Sequence, residues 1–299
     1  MIDTALYTVI YPAAMKYVRE WYESVQAQAY SEFDLWISLD KVTQEEVASV
    51  IGSEPNARWI CSSQGDSPAA IRQEAMKQMV ESYEGIVFVD CDDVLDPSRV
   101  AAAKEFLQRY DVVACALEII DEPGNDLGIV FGLTASEDAQ EMLPRYNVFG
   151  LSNSAYRSDV LKGCLPFAKD CVLIDWLLAT RAWSSGASLF FDPVPRMLYR
   201  QYPGNTAQVV KPFTETDIVR ACECVLKHYE CVLGPEMVLP LAHRKAIEAA
   251  QKRAKKFYNA ITRSSDVRSR YVAAVNELAP RYVWWWTVAN PQLEMIWKN

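Results

Sequence analysis

Histidine is almost absent from this chain, with only His228 and His243 among 299 residues. Both fall in helical-looking segments of the C-terminal third, which argues against a Ser-His-Asp triad and against a histidine-rich metal site. No CxxC occurs among the eight cysteines (61, 91, 115, 164, 171, 222, 224 and 231), so a zinc ribbon or thioredoxin-like redox site has little support. Most of them sit inside apolar patterns and read as buried, reduced thiols. Nowhere do 18 apolar residues run without a charge, and the opening MIDTALYTVIYPAAMKYV lacks the basic and apolar regions of a signal peptide. The expectation is a cytoplasmic chain. Positive charge is also in deficit, 30 Lys/Arg against 39 Asp/Glu, and the net −9 argues against nucleic acid as the main partner.

A hydrophobic content of 51% over this length suffices for one large domain or a domain with an appendage. The first two hundred residues alternate short apolar stretches (Leu6–Tyr11, Phe33–Leu39) with amphipathic ones (Ala14–Gln28), the pattern of an α/β sheet covered by helices on both faces. Ser67-Pro68 reads as N-cap and first helical residue, with Ile71, Ala75 and Met79 following at spacing four and an end expected near Glu84-Gly85. Asp96-Pro97 repeats that signal, for a helix running to Tyr110 before a strand over Asp111–Ile120. Glu118–Pro144, with Pro123-Gly124-Asn125, reads as a loop-containing β segment. After Pro212 the pattern becomes helical: a capping box at Thr214 and Asp217, then helices to about Val232, over Pro235–Ile261 and over Asp266–Leu278. A boundary is expected near 210, separating a domain at 1–210 from a helical extension at 211–299.

Between these elements stands GIVFVDCDDVLDP, residues 85 to 97, where an apolar strand opens onto Asp90, Asp92 and Asp93. In an open α/β sheet, ligands bind at the carboxyl ends of the strands. Clustered carboxylates repel one another unless a cation lies between them, and oxygen ligands of this kind suit Mg²⁺ or Mn²⁺ sharing phosphate oxygens. A helix cap accounts for Asp96 but leaves Asp90 and Asp92 unexplained. Two chemistries share this appearance. One is a haloacid-dehalogenase-like phosphatase, whose strand also ends in an Asp-x-Asp pair with the first Asp as nucleophile. The other is a sugar transferase.

Six further segments, in order, carry a resemblance. They are TVIYP with REWYESVQAQAY, FDLWISLD, SPAAIRQEAMKQM, FGLSNSAYRSDVL, LIDWLLATRAWSSGASLFF and LYRQYPGNT. Together with FVDCDD they resemble a family 2 glycosyltransferase of the GT-A fold over roughly residues 4 to 207. The resemblance implies an inverting, metal-dependent hexosyltransferase of polysaccharide biosynthesis. It would move a sugar from a nucleoside diphosphate donor to a hydroxyl of a glycan or lipid-linked acceptor. It further implies Pro12 and Asp40 near the nucleotide base and Arg72 facing the nucleotide. Asp90 would lie by the ribose or donor sugar and Asp92 on a Mn²⁺ or Mg²⁺ bridging the diphosphate, while Arg200 either contacts the diphosphate or pairs with a surface acid. Asp175 would be the catalytic base, with a helix N-cap as its structural alternative, and Trp176 either a flat face for an acceptor sugar or a core tryptophan. Three positions depart from the family pattern: Ala13-Ala14-Met15 replaces a Tyr-Asn, Ile174 replaces an acid, and Tyr202 stands where many members have His. These departures keep open a catalytically silent relative serving as a binding or scaffold module.

Between His243 and Arg281, ten Lys/Arg face three acids, a local +7, and Trp284-Trp285-Trp286 follows. Basic residues beside an aromatic cluster suit the inner face of a membrane. The same tryptophans equally suit packing against the first domain or a second subunit.

Overall fold

The structure is a computed structural model, described here for residues 2–61, 65–134, 136–235 and 237–298. The strands are β1 (Thr4–Ile10), β2 (Asp34–Leu39), β3 (Arg58–Cys61), β4 (Gly85–Phe88), β5 (Val94–Leu95), β6 (Val112–Ile120), β7 (Asp126–Phe131), β8 (Ser154–Arg157) and β9 (Leu189–Arg200). The helices of the first part are α1 (Val18–Gln26), α2 (Gln44–Ile51), α3 (Pro68–Met79), α4 (Arg99–Phe106), α5 (Ala139–Met142), α6 (Ser158–Gly163) and α7 (Ile174–Ser184). A helical part follows with α8 (Glu215–Val232), α9 (Leu241–Arg263), α10 (Ser265–Glu277) and the short α11 (Glu294–Trp297).

The strands form one mixed sheet in the order β3-β2-β1-β4-β8-β6-β9-β5, with β7 also pairing with β6. The β3-β2-β1-β4 half is parallel, β8 runs antiparallel between β4 and β6, and β6 lies parallel to β9. All seven residues of β1 are buried, as expected of a central parallel strand covered on both faces. The parallel half sends the chain out at one edge after Ile10, Leu39 and Phe88. Tyr11, Asp40 and the Asp90–Asp93 turn are thereby gathered along that edge.

Local chemistry explains most of the boundaries. The Ser67 hydroxyl accepts the Ala70 N–H at 3.1 Å, with Pro68 in the first turn, so α3 begins where the sequence places it. Its buried face carries Ile71, Ala75, Met76 and Met79. Thr214 and Asp217 close a reciprocal capping box on α8. The second Asp-Pro signal acts differently from expectation. Asp96 does accept the Ser98 N–H at 2.8 Å, but Pro97 lies in the turn and α4 starts only at Arg99. The reason is that Val94 and Leu95 first pair with β9 as β5, while Gln28 bonds both the Asp96 carbonyl and the Val100 N–H. The amphipathic stretch Ala14–Gln28 is α-helical only from Val18, as α1, because Ala14 ends a 3₁₀ turn formed by residues 12–14.

The tail returns to the sheet-containing part of the chain. Asn147 and Trp284 form a backbone bridge, the Gly132 N–H bonds the Tyr282 carbonyl at 2.9 Å, and the Tyr271 hydroxyl donates to the Thr287 carbonyl at 2.6 Å. Trp284, Trp285 and Trp286 are 5%, 7% and 2% exposed. They pack within the chain and present no aromatic face to a membrane. Among the described residues no helix is long and apolar enough to cross one.

Candidate active site

A cleft of about 560 Å³ opens where β1, β2 and β4 end. Tyr11, Asp40, Asp90 and Asp92 line it from the strand ends, Arg72 from α3, Asp175 from α7, and Tyr199 and Tyr202 from the end of β9 and beyond it. Trp284 and Trp285 of the tail close another side. The charge is predominantly negative, with Arg72 as the cation nearest the acids, its Nη2 3.7 Å from Asp90 Oδ1.

Asp90 follows the buried strand GIVF, whose register is held by pairing with β1 and by the Val89 N–H on the Tyr7 carbonyl at 3.1 Å. Desolvation raises its carboxyl from 3.8 to about 6; Arg72 opposes this, and the charges of Asp92 and Asp175 reinforce it. Its side chain is 36% exposed to the cleft, so water there tempers the rise. Asp92 is nearly buried, and its Oδ2 accepts from the Tyr202 hydroxyl at 2.7 Å and the Tyr11 hydroxyl at 3.3 Å. Burial and the Asp92 charge push both phenols above their usual range, which keeps them protonated as donors. Tyr202 therefore orients the carboxylate rather than leaving it unsupported.

Asp93 belongs beneath the cleft. It is 1% exposed, takes the Arg200 N–H at 2.8 Å and the Ser152 hydroxyl, and burial pushes its carboxyl well above the ordinary range. Arg200 does not reach the cleft either. Its guanidinium, 1% exposed, donates to the Asp92 carbonyl at 2.9 Å, to the Glu122 carbonyl at 2.9 Å and to the Glu20 carboxylate. It braces the acidic turn from behind, so the expected direct contact with a donor diphosphate does not fit this placement.

Asp175 stands in the first turn of α7, partly exposed to the cleft. Asn147 Nδ2 donates to its Oδ2 at 2.7 Å, while the same Asn147 bonds the Phe149 N–H and carbonyl, a locked rotamer. Burial raises the Asp175 carboxyl from 3.8 to about 6, against the lowering pull of the Trp176 N–H and Asn147. The next residue, Trp176, is fully buried. Its indole N–H is used on the Leu143 carbonyl at 2.8 Å and its ring stacks on His228 at 4.0 Å, so it offers no face to a ligand. Pro12 is exposed on the 3₁₀ turn, and Tyr11 is the residue of that stretch that lines the cleft.

The aromatic wall comes instead from the tail. Gly150 makes room for it, since a Cβ there would sit 2.4 Å from the Trp284 ring. Trp285 has a left-handed backbone, φ 71°, uncommon for a bulky residue and characteristic of strained functional segments. Asn147, Trp284 and Trp285 were missed from sequence. The WWW cluster was visible, but nothing local shows that it returns to this cleft.

Among the described residues no three His, Cys, Asp or Glu side chains gather as a metal cage. The donor set nevertheless fits a divalent ion held by few carboxylates: Asp92, oriented by two hydroxyls, lies near Asp90, whose carboxyl is raised first by burial and further by the charges of Asp92 and Asp175. Phosphate oxygens would complete such a coordination sphere.

No family model and no curated protein matches the chain. Solved structures do. S. aureus TarS 1–349 in complex with UDP-GlcNAc is 18% identical with a TM-score of 0.61, over 90% of this chain and 78% of that one. Against a longer S. aureus TarS structure, the match spans 48% of that chain. The mannosyltransferase PcManGT from Pyrobaculum calidifontis, in complex with GDP-Man and Mn²⁺, is 15% identical with a TM-score of 0.55, over 91% and 79%. The sheet order, the strand-end cleft and these neighbours together identify the architecture as a GT-A fold followed by a mainly helical C-terminal part.

Proposed function

We propose that the chain is an inverting glycosyltransferase that uses a nucleoside diphosphate sugar, with Mn²⁺ or Mg²⁺, to glycosylate a hydroxyl of a glycan or lipid-linked acceptor. The observation that carries this reading is the meeting, in one cleft on a GT-A fold, of Asp92 held by Tyr11 and Tyr202 with Asp175 held by Asn147. The neighbours bound to UDP-GlcNAc and to GDP-Man with Mn²⁺ support the donor class. Residues 1–210 are the catalytic domain in this reading, and 211–299 an extension that supplies one wall of its cleft.

Asp175 takes the proton of the acceptor hydroxyl as that oxygen attacks the anomeric carbon. The bond to the diphosphate oxygen breaks on the opposite face, and its electron pair leaves with the nucleoside diphosphate. A carboxyl held near 6 is ionised at neutral pH yet more basic than an ordinary Asp, which suits this role. Arg72 faces the diphosphate side, Asp40 the base, and Asp90 the ribose or donor sugar. Held by Asp92, the metal ion would offset the charge developing on the departing diphosphate. Arg200 contributes from behind by fixing the Asp92–Asp93 turn. A phosphatase with Asp90 as nucleophile is disfavoured, because Asp90 pairs with Arg72 in a GT-A cleft.

Calorimetric binding of UDP, GDP, CDP and dTDP, each with and without Mn²⁺, tests the donor class. Metal-dependent binding of one diphosphate is expected, and Asp92→Ala should abolish the metal-dependent part. Asp175→Asn should keep that binding and lose transfer. Binding without turnover of any sugar nucleotide points to the silent relative, and no binding at all refutes the proposal.

A further inference from the structure

The tryptophans that suggested a membrane from sequence are buried, but the positive charge of the same region is not. Within α9 the buried residues Ile247, Ala250, Ala254, Phe257 and Ile261 face α8 and α10. At about 100° per residue, Lys245, Lys252, Lys256 and Arg263 all fall within about 20° of one line on the opposite side of the helix. All four are exposed, and among the described residues none of them forms an ion pair. Their spacing of 18 residues corresponds to a straight row roughly 27 Å long. Glu248, the one acid of α9, is paired with Arg244 at 3.9 Å. Just before the row in sequence come two well-exposed aliphatic side chains: Val238, 92% exposed, in the segment leading into α9, and Leu241, 69% exposed, at its first position and one turn before Lys245.

We propose that this face of α9 docks on an anionic lipid surface. The row is straight and all of one sign in a chain whose net charge is −9, so it is the face by which an anionic plane would orient the molecule. A bilayer matches it in shape, and the two protruding aliphatics provide the shallow apolar insertion that a soluble polyanion would not use. The inference is independent of the reaction assigned to the cleft.

Co-sedimentation of the full chain with vesicles tests it. Vesicles containing phosphatidylglycerol should bind the protein and phosphatidylcholine vesicles should not, with binding falling steeply between low and physiological salt. Each basic residue near such a surface contributes about fivefold. The K245E/K252E/K256E/R263E variant should therefore lose on the order of a hundredfold or more in partition, and Leu241→Glu a smaller factor. Both should leave nucleoside diphosphate binding and the melting temperature unchanged, since none of these residues touches the cleft or the core. Absence of binding to anionic vesicles at low salt overturns the proposal. So does vesicle binding that survives charge reversal, or equally strong capture by a soluble polyphosphate that is indifferent to Leu241→Glu.

Discussion

Replacing Asp175 by Asn should make the protein more stable while stopping its chemistry, and the gain should depend on pH. The folded environment raises this carboxyl from 3.8 to about 6, mainly because the ionised form is poorly hydrated there. Below pH 4 the group is neutral in both folded and unfolded chains, so Asp and Asn behave alike. Between about 4 and 6 the unfolded chain gives up its proton first, and the folded wild type loses stability as pH rises; above about 6 the loss is complete. A shift of this size corresponds to at most about 3 kcal/mol at 1.4 kcal/mol per unit, and cleft water on the partly exposed carboxyl lowers it to about 1–3 kcal/mol. Asn cannot ionise, yet its side-chain oxygen still accepts from Asn147. Denaturant unfolding of both proteins from pH 4 to 8 should therefore give curves that meet near pH 4 and separate to about 1–3 kcal/mol by pH 7, or roughly 2 °C of melting temperature per kcal/mol. A difference that is flat with pH, or an Asn variant less stable at pH 8, would show that the carboxylate is not strained by burial and would remove the physical basis for calling it a tuned base.

Asn147→Ala removes the 2.7 Å hydrogen bond that lowers the Asp175 carboxyl, so the ascending limb of kcat/KM should move from near pH 6 to about 7, with activity recovering at higher pH. A uniform loss at all pH values would assign Asn147 to loop structure alone. Gly150→Ala drives a methyl into the Trp284 ring and should cost about 1–3 kcal/mol, with the tail becoming sensitive to proteolysis ahead of the sheet. An unchanged melting temperature and an intact tail would contradict the packing described for Trp284.

How far the site could be read in advance depended on whether its chemistry is local. Asp90 and Asp92 follow an apolar strand within a few residues, and the cap at Ser67 and the capping box at Thr214 are short-range hydrogen bonds, so sequence alone located them. The β5 pairing of Val94 and Leu95 was not legible, because its partner, β9, lies a hundred residues away, and this is why α4 begins later than the Asp96-Pro97 signal implies. For Trp176 and Arg200 the sequence left a ligand contact and a structural role both open. Burial decides for the structural role in both, with one stacked on His228 and the other spread over Asp92, Glu122 and Glu20.

The tail shows the division most plainly. The sequence alone established that residues 243 to 281 hold an excess of positive charge, that three tryptophans follow at 284 to 286, and that helices cover most of the basic stretch, as α9 and α10 do. Whether those two features act together is a question of which side each faces after the chain folds back. The structure separates them: the rings go inward, against Gly150 and into the cleft wall, where apolar area is removed from water, while the lysines of α9 stay outward, where their hydration is kept. Strand, turn and cap were decided by neighbours in sequence; the cleft wall, the buried arginine and the outward basic row were decided by contacts between segments that only the folded sheet brings together.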